Sequence, residues 1–322
     1  MTFRYINNTT FADKNEELKS VYDKWSSRQF NQRLPVHIFG SGSEGNSVYL
    51  KPYKMLIDVG LPYKAYMDYD PHFFLDVDYV VVTHHHGDHL NPSTLLRILD
   101  NHPHIRLIVC EFFWKMITSN HYKKKHIPRD KGEDVPLFHN VEFKTDATGE
   151  LLLAESELAP KFQRHYSKVL FAHDMTLTTH DGRSFLFEPL TVKHGDIVNL
   201  AVQLKDDTLD FDFLYASDLD NLGGERSFVD MFGETQYVTG LHQARQYTCM
   251  FIEANYDEDA LRTYYGMLDP DDPEYSHKKA RADGNTRHIS EQETFRYLKQ
   301  HLVEGGLFIP LHASKTFGTL HQ

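Results

Sequence analysis

Cysteine is nearly absent from this 322-residue chain: only Cys110 and Cys249 occur, in the apolar runs IRLIVC and CMFIEAN. Two such thiols read as small core residues and argue against a disulfide framework or a cysteine-ligated metal. A reducing compartment, the cytoplasm, is the expected location. Long hydrophobic runs are missing too. None reaches the roughly 18 residues that span a bilayer, and the polar start MTFRYINNTTFADKNEELK lacks the apolar segment of a secretory leader, so no membrane partner is expected. Positive charge is in deficit, with 34 Lys+Arg against 46 Asp+Glu and a net charge of -12. That field works against nonspecific binding to long nucleic acid, although a local basic patch can overcome it. What remains, 40% hydrophobic and 25% charged, is ordinary for a soluble globular protein long enough for a large core.

Against that background one stretch stands out, Tyr79 to Leu90, YVVVTHHHGDHL. Val80, Val81 and Val82 suit a buried strand, because β-branched side chains pack well on a pleated surface. The strand ends where the histidines begin. Imidazole and carboxylate are the side chains that bind borderline divalent metals, so His84, His86, Asp88 and His89 form a ligand cluster by type. Gly87 allows a sharp turn between them. Asn91 then reads as an N-cap and Pro92 as the first position of a helix carrying Leu95, Leu96, Ile98 and Leu99.

The pattern HxHxDH resembles the signature of the metallo-β-lactamase fold, in which the first two histidines hold one metal and the Asp-His pair a second. Other segments repeat the arrangement of an apolar strand ending in a ligand-type residue. KMLIDVG carries Asp58, FLFEPLTVKHGD His194, FDFLYASDLD Asp218, CMFIEANYD Glu253 and GLFIPLHAS His312. Loops at one end of the strands would converge on one site. Upstream, VHIFGSGSEGNSVYL satisfies G-x-G-x-x-G, but NSVYL alternates like a second strand where a dinucleotide fold needs a helix. A glycine-rich hairpin is expected there, with Ser41 or Ser43 and Asn46 free to face a phosphate.

In order and type, SGSEGN, IDVG, HHHGDH, KHGD, ASDLD, IEANYD, TRHIS and PLHAS resemble the WalJ/YycJ-like branch of the metallo-β-lactamase superfamily and, more distantly, tRNase Z-type phosphodiesterases. The resemblance runs from about Val36 to Ser314. It implies an α/β protein, an αββα sandwich with two divalent metals, zinc first, with manganese or iron accepting the same ligands. His84, His86 and His194 would bind one ion, Asp88, His89 and His312 the other, and Asp218 would bridge them. Two such ions can share a hydroxide and clamp a phosphate for in-line attack, with Asp88 orienting or deprotonating the water. Asp58, beside His84 and His86 in such a fold, would support the ligands. His288, in TRHIS with Ser290 as a helix N-cap, would contact the phosphate or protonate a leaving oxygen, with Glu253 as its partner. The activity implied is hydrolysis of nucleic-acid phosphodiesters, 5′-to-3′ DNA exonuclease activity being attributed to the branch. The -12 charge favours an alternative, a small cyclic-nucleotide substrate. Other readings are another ester or a metal-binding sensor.

Two stretches have no counterpart in that pattern. Residues 1–34 read as a helical extension, with Leu18, Val21, Tyr22 and Trp25 on one face of a helix from about Asp13 to Arg28, ahead of a hydrolase domain at 35–322. The other is an insert at about 111–183. It holds HYKKKH, with Lys123, Lys124 and Lys125, which reads as a solvated face or a phosphate-attracting patch.

Overall fold

The computed structural model describes residues 36–118, 144–145, 151–152, 169–208, 211–314 and 316–318. The expected helix at 13–28 and the Lys123 to Lys125 run lie outside them.

Val80 and Val81 sit in β4 (Tyr79–Val81), fully buried and flanked by parallel neighbours. A strand covered on both faces reads as an unbroken apolar run, which is what YVVV is. Its sheet has the order β1 (Val36–Gly40), β2 (Ser47–Leu50), β3 (Met55–Ile57), β4, β5 (Arg106–Val109), β8 (Val169–Phe171). Between the last two, β6 (Lys144–Thr145) and β7 (Leu151–Leu152) form a ladder of their own. A second six-stranded sheet holds β9 (Met175–Thr178), β10 (Ser184–His194), β11 (Ile197–Asp206), β12 (Phe211–Ala216), β15 (Tyr247–Glu253) and β16 (Leu302–Leu311). A separate hairpin pairs β13 (Arg226–Val229) with β14 (Thr235–Val238). Both ends of the 111–183 stretch belong to the body: Phe113 and Trp114 join the main core, and β8 forms the edge of the first sheet.

Period-two alternation sorts the second sheet's side chains into two cores. Leu200, Val202 and Leu204 of β11, Phe213 and Tyr215 of β12 and Phe251 of β15 join Val48, Ile57 and Val81 in the core between the sheets. Ala201, Leu214, Ala216, Met250 and Ile252 face the other way, onto Tyr297 and Leu298 of a helix at Glu291–His301. On the first sheet's side, Leu95, Ile98 and Leu99 come from the helix Pro92–Asn101. The order helix, sheet, sheet, helix is the expected αββα sandwich. In chain order the described α-helices are α1 (Tyr63–Tyr69), α2 (Pro92–Asn101), α3 (Glu111–Thr118), α4 (Glu258–Gly266), α5 (Tyr275–Asn285) and α6 (Glu291–His301). No described helix is long and apolar enough to cross a membrane.

Local chemistry sets the elements next to the histidines. The Asn91 side chain accepts the Thr94 N–H at 3.1 Å, and Pro92 opens α2, as the sequence predicts. β1 and β2 pair antiparallel through the glycine-rich turn, so the dinucleotide reading has no helix to rest on. Gly60, after β3, is fixed by close approach: a Cβ there would lie 1.8 Å from the Asp88 carbonyl oxygen, which accepts the Asn46 N–H at 2.6 Å. Gly60→Ala is therefore expected to force the loop carrying Asp88 outward. Its thermal midpoint should fall by an amount matching the ~1–3 kcal/mol of an overpacked core site, read by calorimetry against Gly87→Ala, where a Cβ meets nothing within 4 Å.

Candidate metal centre

Six strands deliver ligand-type side chains to one edge of the sandwich. Asp58 follows β3, His84 to His89 follow β4, and His194 ends β10. Asp218 follows β12 by two residues, Glu253 ends β15, and His312 follows β16. Asp58, Asp218 and His312 have left-handed backbones, with φ of 62°, 56° and 52°. That region costs a non-glycine residue about 1 kcal/mol or more and persists only where surrounding structure imposes it. The chain thus bends abruptly off each strand to aim these side chains inward.

Among the described residues three groups of four have ligand atoms within 4.8 Å of one another: two tetrads built on the histidine motif, His84, His86, His194 and Asp218, and Asp88, His89, Asp218 and His312, and a third group of Asp218, Glu253, His288 and His312. Ligands ~2.0–2.1 Å from a tetrahedral zinc-type ion stand about 3.3 Å apart along each edge. In the first tetrad, His84 Nε2 is 3.1 Å from His86 Nδ1 and 3.4 Å from Asp218 Oδ2, and His194 Nε2 is 3.7 Å from Asp218 Oδ2. In the second, His312 Nε2 is 3.2 Å from Asp88 Oδ2, and His89 Nε2 is 3.4 Å from Asp218 Oδ2 and 3.7 Å from Asp88 Oδ2. Buried and half-buried imidazole nitrogens and carboxylate oxygens at tetrahedral spacing fit a divalent metal ion by donor type and by distance.

A metal-binding imidazole needs its other nitrogen held. Asp58 is fully buried and accepts from Thr83 N–H at 2.8 Å, Thr83 Oγ1 at 2.9 Å, His89 Nδ1 at 2.7 Å and the Tyr215 hydroxyl at 3.1 Å. Its direct partner is thus His89. The expected support of His84 runs through the Thr83 hydroxyl, 3.1 Å from His84 Nδ1, and no bond joins Asp58 to His86 among the described contacts. The cause is the fold-back after β4, where His89 N–H bonds the His86 carbonyl at 2.9 Å and carries His89 under the strand end. Asn46 spans the glycine turn and the second tetrad. Its Oδ1 accepts the Gly42 N–H at 2.7 Å, and its Nδ2 is 3.2 Å from Asp88 Oδ2 and 2.9 Å from His89 Nε2. The Ser41 hydroxyl accepts the His312 N–H at 3.1 Å, which ties the glycine turn to β16. Ser43 is exposed on that turn. Asn255, which the sequence reading left without a role, lies with Nδ2 3.1 Å from His312 Nδ1.

Protonation divides the two tetrads. Burial pushes His84 and His194 below the ordinary imidazole value and takes His86 down to about 4, so all three are neutral donors. Burial acts the same way on His89 and His312, but the carboxylates of Asp218, Asp58 and Asp88 around the first, and of Asp218, Asp88 and Glu253 around the second, outweigh it and raise both. The carboxylates that favour a second proton on these two rings are the ones that would favour a cation, so proton and metal compete there. Metal loading at neutral pH should therefore release protons, and apparent affinity should rise with pH as the competition fades. Titrating the stripped protein with Zn2+ in two buffers of different ionisation enthalpy measures the release.

His288 completes the wall, its ring stacked on His312 at 4.8 Å and 5.3 Å from His194. It is placed by the strap between the end of β15 and the start of α6: Asn255 N–H bonds Ile289 O at 2.9 Å, Glu291 N–H bonds Tyr256 O at 2.8 Å, and Ser290 caps α6 by accepting Glu293 N–H at 3.1 Å. The buried Glu253 carboxylate lies 2.6 Å from His288 Nδ1 and accepts the Leu219 N–H at 2.7 Å. Burial lowers the His288 pKa, but the charge and hydrogen bond of Glu253 outweigh it and push it up to about 9. Because the folded value lies above the unfolded one, the stabilisation is complete below pH ~6.5 and lost as pH rises through about 9. The thermal midpoint of the metal-free protein should fall across that window, more steeply than in His288→Asn.

No protein-family model matches the chain, and no curated protein does either. Among solved structures, a metallo-β-lactamase fold protein, YhfI from Bacillus subtilis, is 14% identical over 88% of this chain and 87% of its own, with a TM-score of 0.45. The short form of human tRNase Z is 12% identical over 87% of this chain and 93% of its own, with a TM-score of 0.44. A diphosphatase of the PhnP family is 12% identical, over 88% and 87% of the two chains, with a TM-score of 0.42.

Proposed function

We propose that the chain is a phosphodiesterase that works with two divalent metal ions, zinc first and manganese or iron as substitutes, and that its substrates are nucleic-acid ends. One observation carries the reading: Asp218 Oδ2 stands 3.4 Å from Nε2 of both His84 and His89, so one carboxylate oxygen joins the two tetrads. In this reading His84, His86 and His194 hold one ion, Asp88, His89 and His312 the other, and Asp218 both. When bound, such ions acidify water and neutralise the charge that builds on a phosphoryl group.

The remaining steps belong to side chains. Asp88, its Oδ2 within reach of Asn46 Nδ2 and His312 Nε2, orients the attacking water and accepts its proton. The Glu253 carboxylate favours the protonated form of His288, which faces the centre beside His194 and His312. His288 binds a phosphoryl oxygen in the ground state and gives its proton to the departing oxygen, while Glu253 holds its Nδ1. The motif order from SGSEGN to PLHAS supports DNA or RNA ends as the substrate, in the cytoplasm, with the 5′-to-3′ direction of the resembling branch. The net charge of -12 favours a second reading, a cyclic nucleotide.

Hydrolysis of bis-p-nitrophenyl phosphate by the zinc- or manganese-loaded protein tests the reaction class. A panel of labelled DNA and RNA ends beside cyclic mono- and dinucleotides then separates the substrates. Ring opening without end cleavage selects the second reading, and silence across the panel with two metals bound removes both.

A further inference from the structure

His84, His89 and His312 each have a partner within 3.1 Å on the nitrogen that faces away from the centre. Thr83 Oγ1 meets His84, Asp58 meets His89 and Asn255 meets His312. His194 does not. Its Nε2 faces Asp218, and its Nδ1 is buried with no hydrogen-bond partner among the described residues. The nearest carboxylate oxygen is Asp220 Oδ1, 3.8 Å away.

Asp220 is fastened to the end of β10 from three directions. Its Oδ1 accepts the Gly195 N–H at 2.7 Å, its Oδ2 meets the Lys193 ammonium, and its own N–H bonds the Lys193 carbonyl at 3.0 Å. A carboxylate oxygen keeps a second lone pair after accepting one backbone N–H. A closure of about 1 Å, within the reach of a ring tilt, turns the 3.8 Å gap into an ordinary charge-assisted bond.

We infer that Asp220 is the positioning residue for His194: it accepts the Nδ1 proton when Nε2 ligates a metal ion, fixing the tautomer and ring angle of the ligand that completes the His84, His86 and His194 set. The inference rests on the two-metal reading above and adds a residue to it. The bland alternative is that Asp220 only staples the turn at Lys193 to Gly195.

The test uses the full chain, stripped and reloaded with Co2+, whose visible spectrum and stoichiometry report each ion without any substrate. Loss of a partner behind a metal-bound histidine weakens metal affinity by about 10–100-fold. Asp220→Ala is expected to show that loss for one of its two Co2+ ions and leave the other unchanged. Asp220→Asn, whose carboxamide oxygen can still accept from Nδ1–H, should recover most of it. Lys193→Met removes the ion pair and keeps the acceptor, so it should match the unaltered protein. In 15N-histidine-labelled, zinc-loaded protein the His194 Nδ1 resonance should shift in Asp220→Ala and hold its place in Lys193→Met. Equal binding of both ions by Asp220→Ala, equal weakening of both, or a Lys193→Met loss as large as that of Asp220→Ala would each overturn the inference. An unaltered protein that takes up fewer than two Co2+ ions overturns the two-metal reading itself, which separates the two failures.

Discussion

Asp218→Asn should abolish phosphodiester turnover while leaving the protein folded. Asparagine tolerates the left-handed conformation that Asp218 adopts at φ 56°, so the backbone is spared. What changes is the charge between His84, His89 and His312, whose nitrogens lie 3.4, 3.4 and 3.6 Å from its oxygens. A carboxamide leaves both tetrads without their common anion. Turnover of bis-p-nitrophenyl phosphate is expected to drop at least about a thousandfold, equivalent to ~4 kcal/mol of transition-state stabilisation. Bound metal should fall below two per chain by elemental analysis. Asp218→Ala should lose at least as much activity and also about 1 kcal/mol of stability from its unfavourable backbone. A tenth or more of the original rate in the Asp218→Asn protein, with metal bound, would rule out the bridging role.

The largest stability effect is expected at Asp58. Four donors converge on it: Thr83 N–H, the Thr83 and Tyr215 hydroxyls, and His89 Nδ1. Alanine strands all four in a fully buried pocket. Removing one member of a buried charged network costs about 3–5 kcal/mol, because the groups left behind keep their desolvation cost without compensation. Urea unfolding of Asp58→Ala should show a lower midpoint with an unchanged slope, the mark of lost stability in a native state of unaltered compactness. Asp58→Asn, which keeps one acceptor oxygen for Thr83 and tolerates φ 62°, should fall between the two. Loss of metal affinity in Asp58→Ala without loss of stability would mean that Asp58 only orients His89.

How far the sequence revealed this centre depended on the kind of residue. Ligand-type side chains at strand ends were legible because they interrupt apolar runs: Asp58 after MLI, His84 after YVVVT, His312 after LFIPL. Asn91 and Ser290 were legible as caps because capping is local chemistry. The partners were not. Tyr215 is an inward position of β12 like any other, and only the packing of one sheet on the other sets its hydroxyl against a carboxylate 157 residues away. Asn255 and Asp220 lie in the quoted segments IEANYD and ASDLD, each two residues beyond the ligand-type position. Their roles depend on loop directions that no periodicity encodes. That Asp58 bonds His89 directly and reaches His84 only through Thr83 was hidden for the same reason, since the fold-back of the Gly87 turn decides which histidine comes beneath β4.

Each tetrad takes two members from loops of the first sheet and two from loops of the second: His84 and His86 with His194 and Asp218, Asp88 and His89 with Asp218 and His312. The first sheet is built from residues 36–171 and the second from residues 175–311, one after the other along the chain. A polypeptide emerging from the ribosome therefore presents four candidate ligands early, with nothing to close around an ion. The first tetrad is whole only when Asp218 has emerged and β12 has docked, and the second waits for His312. Capture of an ion by either tetrad would then be a late event of biogenesis, a latch that engages after the two halves have met.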